Sequence, residues 1–424
     1  MALKDRIDVL IVGAGPVGMT AALALAKQGR VELEIVDEAQ DRAGLSYALA
    51  LHPSTLAILS DLGVADRLIA QGNPIERIAV YDGRERKLEM RVADLGGAFP
   101  YVLVLPQSAI EDALLAALEK HKVRVQWNHR LRHLDAGGND SVLCQVDQLG
   151  KESAGYGVSK VESVVERSFE RTVSFLIGAD GHGSLVRRQL EIERHSIDGP
   201  GVFATFELTT SPNPSNEMRI TFAAGTRNVW WPLPGQRARM SFEIEEEQDT
   251  SLSPRRKSRL PSFVPWRSQQ LDAGRLNELV AARMPWLAPP SGELMWSVAA
   301  RFERALVERF GRGRAWLAGD AAHLAFPFGV HSMNAGIHEA RDLASRIGRV
   351  LAGERAADSL EEYGRMRTAE WRTLLGFDGE PVVAASADPW VRERARAIVE
   401  SLPVMGSDAE RLVQPLGITL ALPV

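Results

Sequence analysis

The chain has 424 residues, 45% of them hydrophobic and 25% charged, with a formal net charge of −5. That length allows two lobes around a sizeable core, and the mildly acidic balance leaves no electrostatic footprint for nucleic acid. The one cysteine, Cys144, excludes an intramolecular disulfide and a multi-cysteine metal site.

Apolar runs shorter than a membrane span point to a soluble, cytoplasmic protein. The first of them, "VLIVGAGPVGM", follows the mixed-charge "LKDRID" without a cleavage-site pattern, so it reads as a strand and turn. "IDVLIV" is a fully buried strand, and "AGPVGMTAALALAKQG" is a helix with the small residues needed for close packing on a sheet. "VELEIVDEA" is a second strand ending in Asp37 and Glu38, which completes a β-α-β unit.

Further along, residues 55–70 carry apolar residues at helical spacing, and "IERIAVYDG" with "KLEMRVA" forms a strand pair. A helix is predicted over 107–121. "KVRVQW", "SVLCQV" and "RTVSFLIGADG" alternate like strands, with 147–170 as a hairpin extension or loop. The character changes near residue 200, where four alternating runs separated by turn residues predict an antiparallel sheet. In the last of these runs Met240, Phe242 and Ile244 share one face, while Arg239, Ser241 and Glu243 share the other. Residues 246–262 read as a surface loop. At "GRAWLAGDAAH" the chain returns to the first lobe, and Ile337, Ala340, Leu343, Ala344, Ile347 and Leu351 mark one face of a helix beginning near Ser332 to Asn334.

Three motifs carry chemistry. "GAGPVG" places Gly13, Gly15 and Gly18 between a strand and a helix, with Pro16 in the first helical turn. Gly13 permits the tight turn, Gly15 lets a pyrophosphate approach the backbone, and Gly18 lets helix and strand pack closely. Asp37, with Glu38 as the alternative in register, is placed for the ribose hydroxyls of FAD or NAD. "GADGHGSLVR" puts Asp180 and Gly181 at a strand end, where a plain turn is the competing reading. "LAGDAAHLAFPFGVHSMNAGI" puts Gly319 and Asp320 at another strand end, followed by a Pro327 turn and the start of a helix.

In this order and spacing the motifs, together with "PQSAIEDAL" and "WWPLPG", resemble the single-component FAD-dependent aromatic monooxygenases of the para-hydroxybenzoate hydroxylase type, over about residues 7–370. The resemblance implies an α/β fold: a Rossmann-like FAD-binding lobe (1–75, 100–185 and 300–370), an inserted antiparallel β-sheet substrate lobe (76–99 and 186–299) and a C-terminal helical extension (371–424). It implies that Asp320 contacts the ribityl chain and that the helix after Pro327, through Gly329, Ser332, Met333 and Asn334, directs its amides at the flavin. Gln107, Asp180 and Gly181 would lie beside FAD, and Arg187 near the approach of the nicotinamide nucleotide.

The chain departs from the family pattern twice. The usual Gly-Gly-Gln-Gly loop becomes Gly329, Val330, His331, Ser332, and Tyr47 stands where an arginine is common, with Arg42 as a substitute for it. His331 is the candidate base, with a loop histidine donating one hydrogen bond as the competing reading. Tyr47 could stack on the flavin or line the cavity. His52 and His323 read as scaffold, and no His and carboxylate arrangement reads as a metal site.

The expected activity is NADPH- or NADH-driven, O2-consuming hydroxylation of an electron-rich aromatic small molecule by way of a C4a-hydroperoxyflavin. Epoxidation, Baeyer-Villiger oxygenation, halogenation and non-catalytic flavin binding are the alternatives. Phe203, Phe222, Trp230, Trp231, Phe242 and Phe328 are candidate pocket residues, although the two adjacent tryptophans must face opposite ways. No fixed basic anchor for a carboxylate is evident. The partner is the small molecule alone, and the chain is expected as monomer or homodimer.

Overall fold

The computed structural model describes residues 6–41, 49–138, 140–154, 160–197, 199–210, 216–244 and 271–420. Arg42, Tyr47 and the 246–262 loop fall outside the described residues. The first strand, Arg6–Val12, is apolar on both sides and lies inside a parallel sheet. Its neighbours are Leu33–Asp37 on one side and Lys160–Gly178 on the other, with Val125–Trp127 and Ala315–Leu317 extending the parallel array. The crossover helix Pro16–Ala26 packs on this sheet through Met19, Ala22, Leu23 and Leu25. Strands Val142–Ala154 and Lys160–Gly178 pair as one long antiparallel hairpin across the polar 147–170 stretch.

Among the described residues, the second sheet has seven strands in the order Leu294–Phe302, Gly201–Thr209, Arg237–Ile244, Thr226–Leu233, Glu217–Ala223, Arg77–Asp82 and Glu85–Arg91. All its pairings are antiparallel except that of Glu217–Ala223 with Arg77–Asp82. One face carries Val202, Ala204, Phe206, Met240 and Phe242 against helix Ala273–Arg283. The opposite face carries Phe203, Met218, Ile220, Val229 and Trp231 against Ala50, Val102, Val104, Phe328 and the C-terminal helices.

The helical pattern over 55–70 resolves into two helices, Pro53–Asp61 and Ala65–Ile69, because Gly63 takes a left-handed φ of +78° between them. Helix His331–Leu351 starts a residue before the range read from the sequence. The C-terminal segment forms helices Pro389–Ser401 and Gly406–Val413, and Ile418–Thr419 pairs with Val382–Val383. No described helix is long and apolar enough to cross a membrane.

Candidate active site

The three motifs converge because their strands are neighbours. Val12 pairs with Gly178, and Gly178 with Leu317, so the Gly13 turn, Ala179–Asp180 and Ala318–Asp320 leave the carboxyl ends of three adjacent parallel strands. In open α/β sheets that edge is where ligands bind.

Gly13 has φ +102°, and a Cβ there would sit 2.2 Å from the Ala179 carbonyl oxygen. A Cβ on Gly18 would lie 1.9 Å from the Gly13 oxygen, whereas one on Gly15 would meet nothing within 4 Å. Gly13 and Gly18 therefore close the turn, and Gly15 leaves open room above the amino end of helix Pro16–Ala26. That end has Pro16 in its first turn, no side-chain cap and no acid. Its free amides and the helix dipole suit a pyrophosphate.

Asp37 reaches back into the turn. Its Oδ2 accepts from the Ala14 amide at 2.7 Å and its Oδ1 from the Ala39 amide at 2.8 Å, while Glu38 is exposed. Between the two acids of the register pair, Asp37 is the one joined to the turn. Gln107 opens helix Gln107–Lys120 and donates to Glu111 at 2.7 Å. Asp180 accepts from Ser184 Oγ at 2.6 Å and from the Leu185 and Val186 amides, so its carboxylate caps helix Leu185–Gln189. Gly181, with φ +75°, makes the turn between them.

Asp320 lies in the short 3-10 turn Gly319–Ala321 and accepts no hydrogen bond from a described residue. Burial pushes its pKa up, with His323 the largest opposing influence. A partly exposed, desolvated carboxylate of this kind is suited to accept from hydroxyl groups of a bound nucleotide. Gly319, at φ +67°, brings its amide to Glu339 Oε2 at 2.8 Å. Glu339 is fully buried and also accepts from His323 Nε2 at 2.9 Å and Trp371 Nε1 at 2.7 Å, and the His323 and Trp371 rings stack at 3.7 Å. His323 is thus scaffold, tying the Asp320 turn to helix His331–Leu351.

That helix begins without a side-chain cap or an acid in its first turn, from Val330 in the left-handed region. Ser332 is partly exposed at this end, and Met333 is buried. Asn334 is fully buried and bonded within the protein. Its amide nitrogen donates to the Ala50 and Val330 carbonyls, and its oxygen accepts from the His52 amide. His52 Nε2 in turn lies 2.8 Å from the Gly329 oxygen, which fixes the turn after the partly buried Pro327.

Two expected roles meet a different geometry. His331 is buried, with Nε2 3.3 Å from the Val404 oxygen, and burial pulls its pKa down. Its ring points into the C-terminal segment, toward the Val404 and Leu402 carbonyls. Arg187 is also buried and donates to the His182 and Ala321 carbonyls. Burial, with Arg194 and Arg188 adding to it, lowers its pKa to about 10. These bonds brace two motifs against each other.

The second sheet turns its inner face toward the Phe328–Val330 end of these motifs. Phe203, Phe222 and Trp231 lie on it, and Phe203 packs on Phe328 with ring centroids 5.0 Å apart. Trp230 and Phe242 lie on the outer face, against helix Ala273–Arg283, and so leave the pocket set because successive strand residues alternate. The inner face also carries a row that the sequence reading missed. Trp231, Arg239, Glu207 and Trp296 are cross-strand neighbours on four successive strands. Arg239 donates to Glu207 at 2.9 Å, Arg237 donates to the same carboxylate at 3.0 Å, and Trp296 Nε1 donates at 3.2 Å. A basic group is therefore present on this face, partnered by an acid. The alternation of Arg239, Ser241 and Glu243 against Met240, Phe242 and Ile244 was the available signal, but it cannot say which face is inward.

Among the described residues, no group of His, Cys, Asp and Glu could hold a metal ion. A Gly-rich cradle, an unpartnered carboxylate and two uncapped helix ends around one sheet edge fit FAD, and together with the second sheet they give the chain the architecture of a flavoprotein aromatic hydroxylase. The model of the FAD binding domain family matches residues 6–377, and the chain belongs to that family.

It is 29% identical to 6-methylpretetramide 4-monooxygenase of Streptomyces rimosus over 88% of its length, a match that spans 61% of that relative. It is 25% identical to phenazine 1,6-dicarboxylic acid hydroxylase PhzS of Lysobacter antibioticus, over 95% of this chain and 97% of the relative. The fold is shared with p-nitrophenol 4-monooxygenase PnpA from Pseudomonas putida DLL-E4, at TM-score 0.71 and 21% identity over 97% of each chain. It is shared also with aklavinone-11 hydroxylase in a ternary complex with FAD and aklavinone, at TM-score 0.67 and 24% identity over 88% of this chain and 68% of that one.

Proposed function

We propose that the protein is an FAD-dependent monooxygenase that uses NADPH or NADH and O2 to hydroxylate a planar, electron-rich aromatic molecule. The observation that carries this reading is the meeting of two surfaces. The turn and amino end of helix His331–Leu351, through Phe328 and Val330, meet the sheet face that bears Phe203 and Trp231, and the same face carries the Arg239–Glu207 pair. Bound FAD supplies hydride acceptance and oxygen transfer.

The chain's own residues hold, orient and exclude water. Gly15 and the first amides of helix Pro16–Ala26 would hold the pyrophosphate, and Asp37 and Asp320 would accept from sugar and ribityl hydroxyls. The uncapped end of helix His331–Leu351 offers positive charge where reduced flavin is anionic. Phe203 packs on Phe326 and Phe328 beside the Pro327 turn, and these rings would help keep from the flavin the water whose entry would release peroxide in place of product.

The Arg239–Glu207 pair, beside the indoles of Trp231 and Trp296, would offer a substrate a donor and an acceptor with its charge offset. That pattern favours phenol, quinone or ketone oxygens over a free carboxylate. The relatives named for pretetramide and aklavinone substrates support a polycyclic aromatic of secondary metabolism. In this reading the enzyme acts in the cytoplasm as monomer or homodimer.

The test is to follow NADH and NADPH oxidation by FAD-loaded protein across phenols and polycyclic aromatic ketones, quantifying peroxide and product together. A ligand that stimulates oxidation and gains one oxygen supports the reading. Stimulation that instead requires halide, or yields ring expansion, would replace hydroxylation with halogenation or Baeyer-Villiger chemistry.

A further inference from the structure

The flavin-side turn 326–331 is held from the C-terminal segment as well as from the sheet. Glu400, near the end of helix Pro389–Ser401, accepts from Arg227 Nη1 at 2.7 Å and from Arg304 Nη1 at 2.5 Å. The Arg227 guanidinium carbon lies 4.6 Å from the Phe328 ring centre and 5.6 Å from that of Phe326, and that of Arg304 lies 5.4 Å from Phe326. Arg227 also faces Glu243 at 3.5 Å. From the sheet, Phe203 touches the same two rings at 5.3 and 5.0 Å. At the other end of the turn, His331 Nε2 bonds the Val404 carbonyl, and a Cβ on Gly329 would lie 2.6 Å from the Leu402 oxygen. The segment from Glu400 to Val404 therefore grips both ends of the turn that carries Pro327.

The charges explain why Glu400 matters. Two guanidinium groups over aromatic rings repel each other, and Glu243 offsets one of them. Glu400 bonds both, and at about 14% side-chain exposure it is screened less than a surface partner. Without its charge the arginines gain by turning to solvent, and Phe326 and Phe328 lose the cations that hold them.

We propose that Glu400 is a positioning residue for the Pro327 turn: through Arg227 and Arg304 it fixes Phe326 and Phe328, and so governs how tightly reductant consumption is coupled to oxygen transfer. The coupling half of this rests on the monooxygenase reading; the clamp itself does not.

The test compares full-length wild type, Glu400→Gln, Glu400→Asp, Arg304→Gln and the Glu400→Gln/Arg304→Gln double variant. Hydrogen exchange is measured without FAD at 326–331 and, as an internal reference, at 337–350. With FAD and a stimulating aromatic, peroxide per NAD(P)H, kcat, KM and the visible flavin spectrum are recorded. The expected result is about tenfold faster exchange confined to 326–331 in Glu400→Gln, a several-fold larger peroxide share at little changed KM for NAD(P)H, recovery in Glu400→Asp, and no further effect in the double variant. Unchanged exchange at 326–331, or a rise shared by 337–350, would overturn the clamp. Arg304→Gln decides the same question should Glu400→Gln not fold. A wild type that forms no oxygenated product would sink the monooxygenase reading and leave the exchange comparison to decide the clamp.

Discussion

Gly13 shows how little freedom the first turn leaves to a side chain. Its φ of +102°, and the Ala179 oxygen 2.2 Å from where a Cβ would stand, mean that Gly13→Ala must strain the backbone and move the neighbouring strand end. A loss of roughly 2 kcal/mol or more follows from left-handed strain plus the clash, read by urea denaturation, with weaker FAD binding in fluorescence titration. Gly15→Ala, where the same atom meets open space, should leave stability nearly intact and weaken FAD alone. At the opposite wall, Arg239→Leu removes the donor on the inner face and leaves Glu207 with Arg237 and Trp296. We expect kcat/KM for the aromatic substrate to fall at least about tenfold, about 1.4 kcal/mol, with FAD affinity unchanged. An equal fall in FAD affinity would place Arg239 in folding rather than recognition.

Helix His331–Leu351 joins the Pro327 turn to the core. Gly336 lets it lie against helix Pro16–Ala26, since a Cβ there would come within 2.6 Å of Val17 Cγ2 and 3.0 Å of Gly319 Cα. Gly336→Leu should therefore lower the melting temperature and disturb the Asp320 turn, seen as loss of FAD at fixed cofactor concentration. The helix also carries a pH dependence. Burial lowers the pKa of His331 and His338, that of His338 to about 4, and lowers that of His52, which is bonded to the turn, well below 6.5. Each binds a proton more readily in the unfolded chain, so each contributes stability that is present above about pH 6.5 and lost as pH falls toward its folded value. Glu339, lowered below its usual 4.5 despite burial because His323, Gly319 and Trp371 bond it, acts in the same direction at more acid pH. The urea midpoint should thus fall from pH 7 toward pH 5, below which the raised carboxyls of Asp180, Asp320 and Glu370 act in the opposite direction, and His338→Gln should flatten part of that slope between 6.5 and 5. A midpoint constant over that interval would mean that these histidines are solvated.

On the scale of the molecule, two sheets with separate cores meet near the carboxyl edge of the parallel strands, and the C-terminal helices close the inner core through Val391, Ile398, Leu402 and Val404. FAD bound between turns from distant parts of the chain must stabilise the whole. Saturation at about 100 times Kd should raise stability by about 2.7 kcal/mol, measured as a melting shift. A shift absent at saturating FAD would mean that the cradle is not assembled around the cofactor. Truncation after residue 388 removes Glu400 and one wall of the inner core, and should expose Phe203 and Phe328 to solvent.

By itself the sequence determined the β-α-β start, the three strand-end motifs and the antiparallel insert, because each rests on local chemistry: glycine where φ is positive, apolar runs in buried strands, and period-two alternation. It separated Met240 and Phe242 from Arg239 and Glu243 on the same ground. Which of those faces looks inward was decided only by packing against helix Ala273–Arg283, and with it the places of Trp230, Phe242 and the Arg239–Glu207 pair. His331 and Arg187 read as functional from type and position, yet their ring and guanidinium directions are set by Val404 and Ala321, 73 and 134 residues away. Contacts between residues so far apart leave no local periodicity or spacing, so Glu400 and Glu339 carried no signal in the chain and became visible only where the fold brings their partners together.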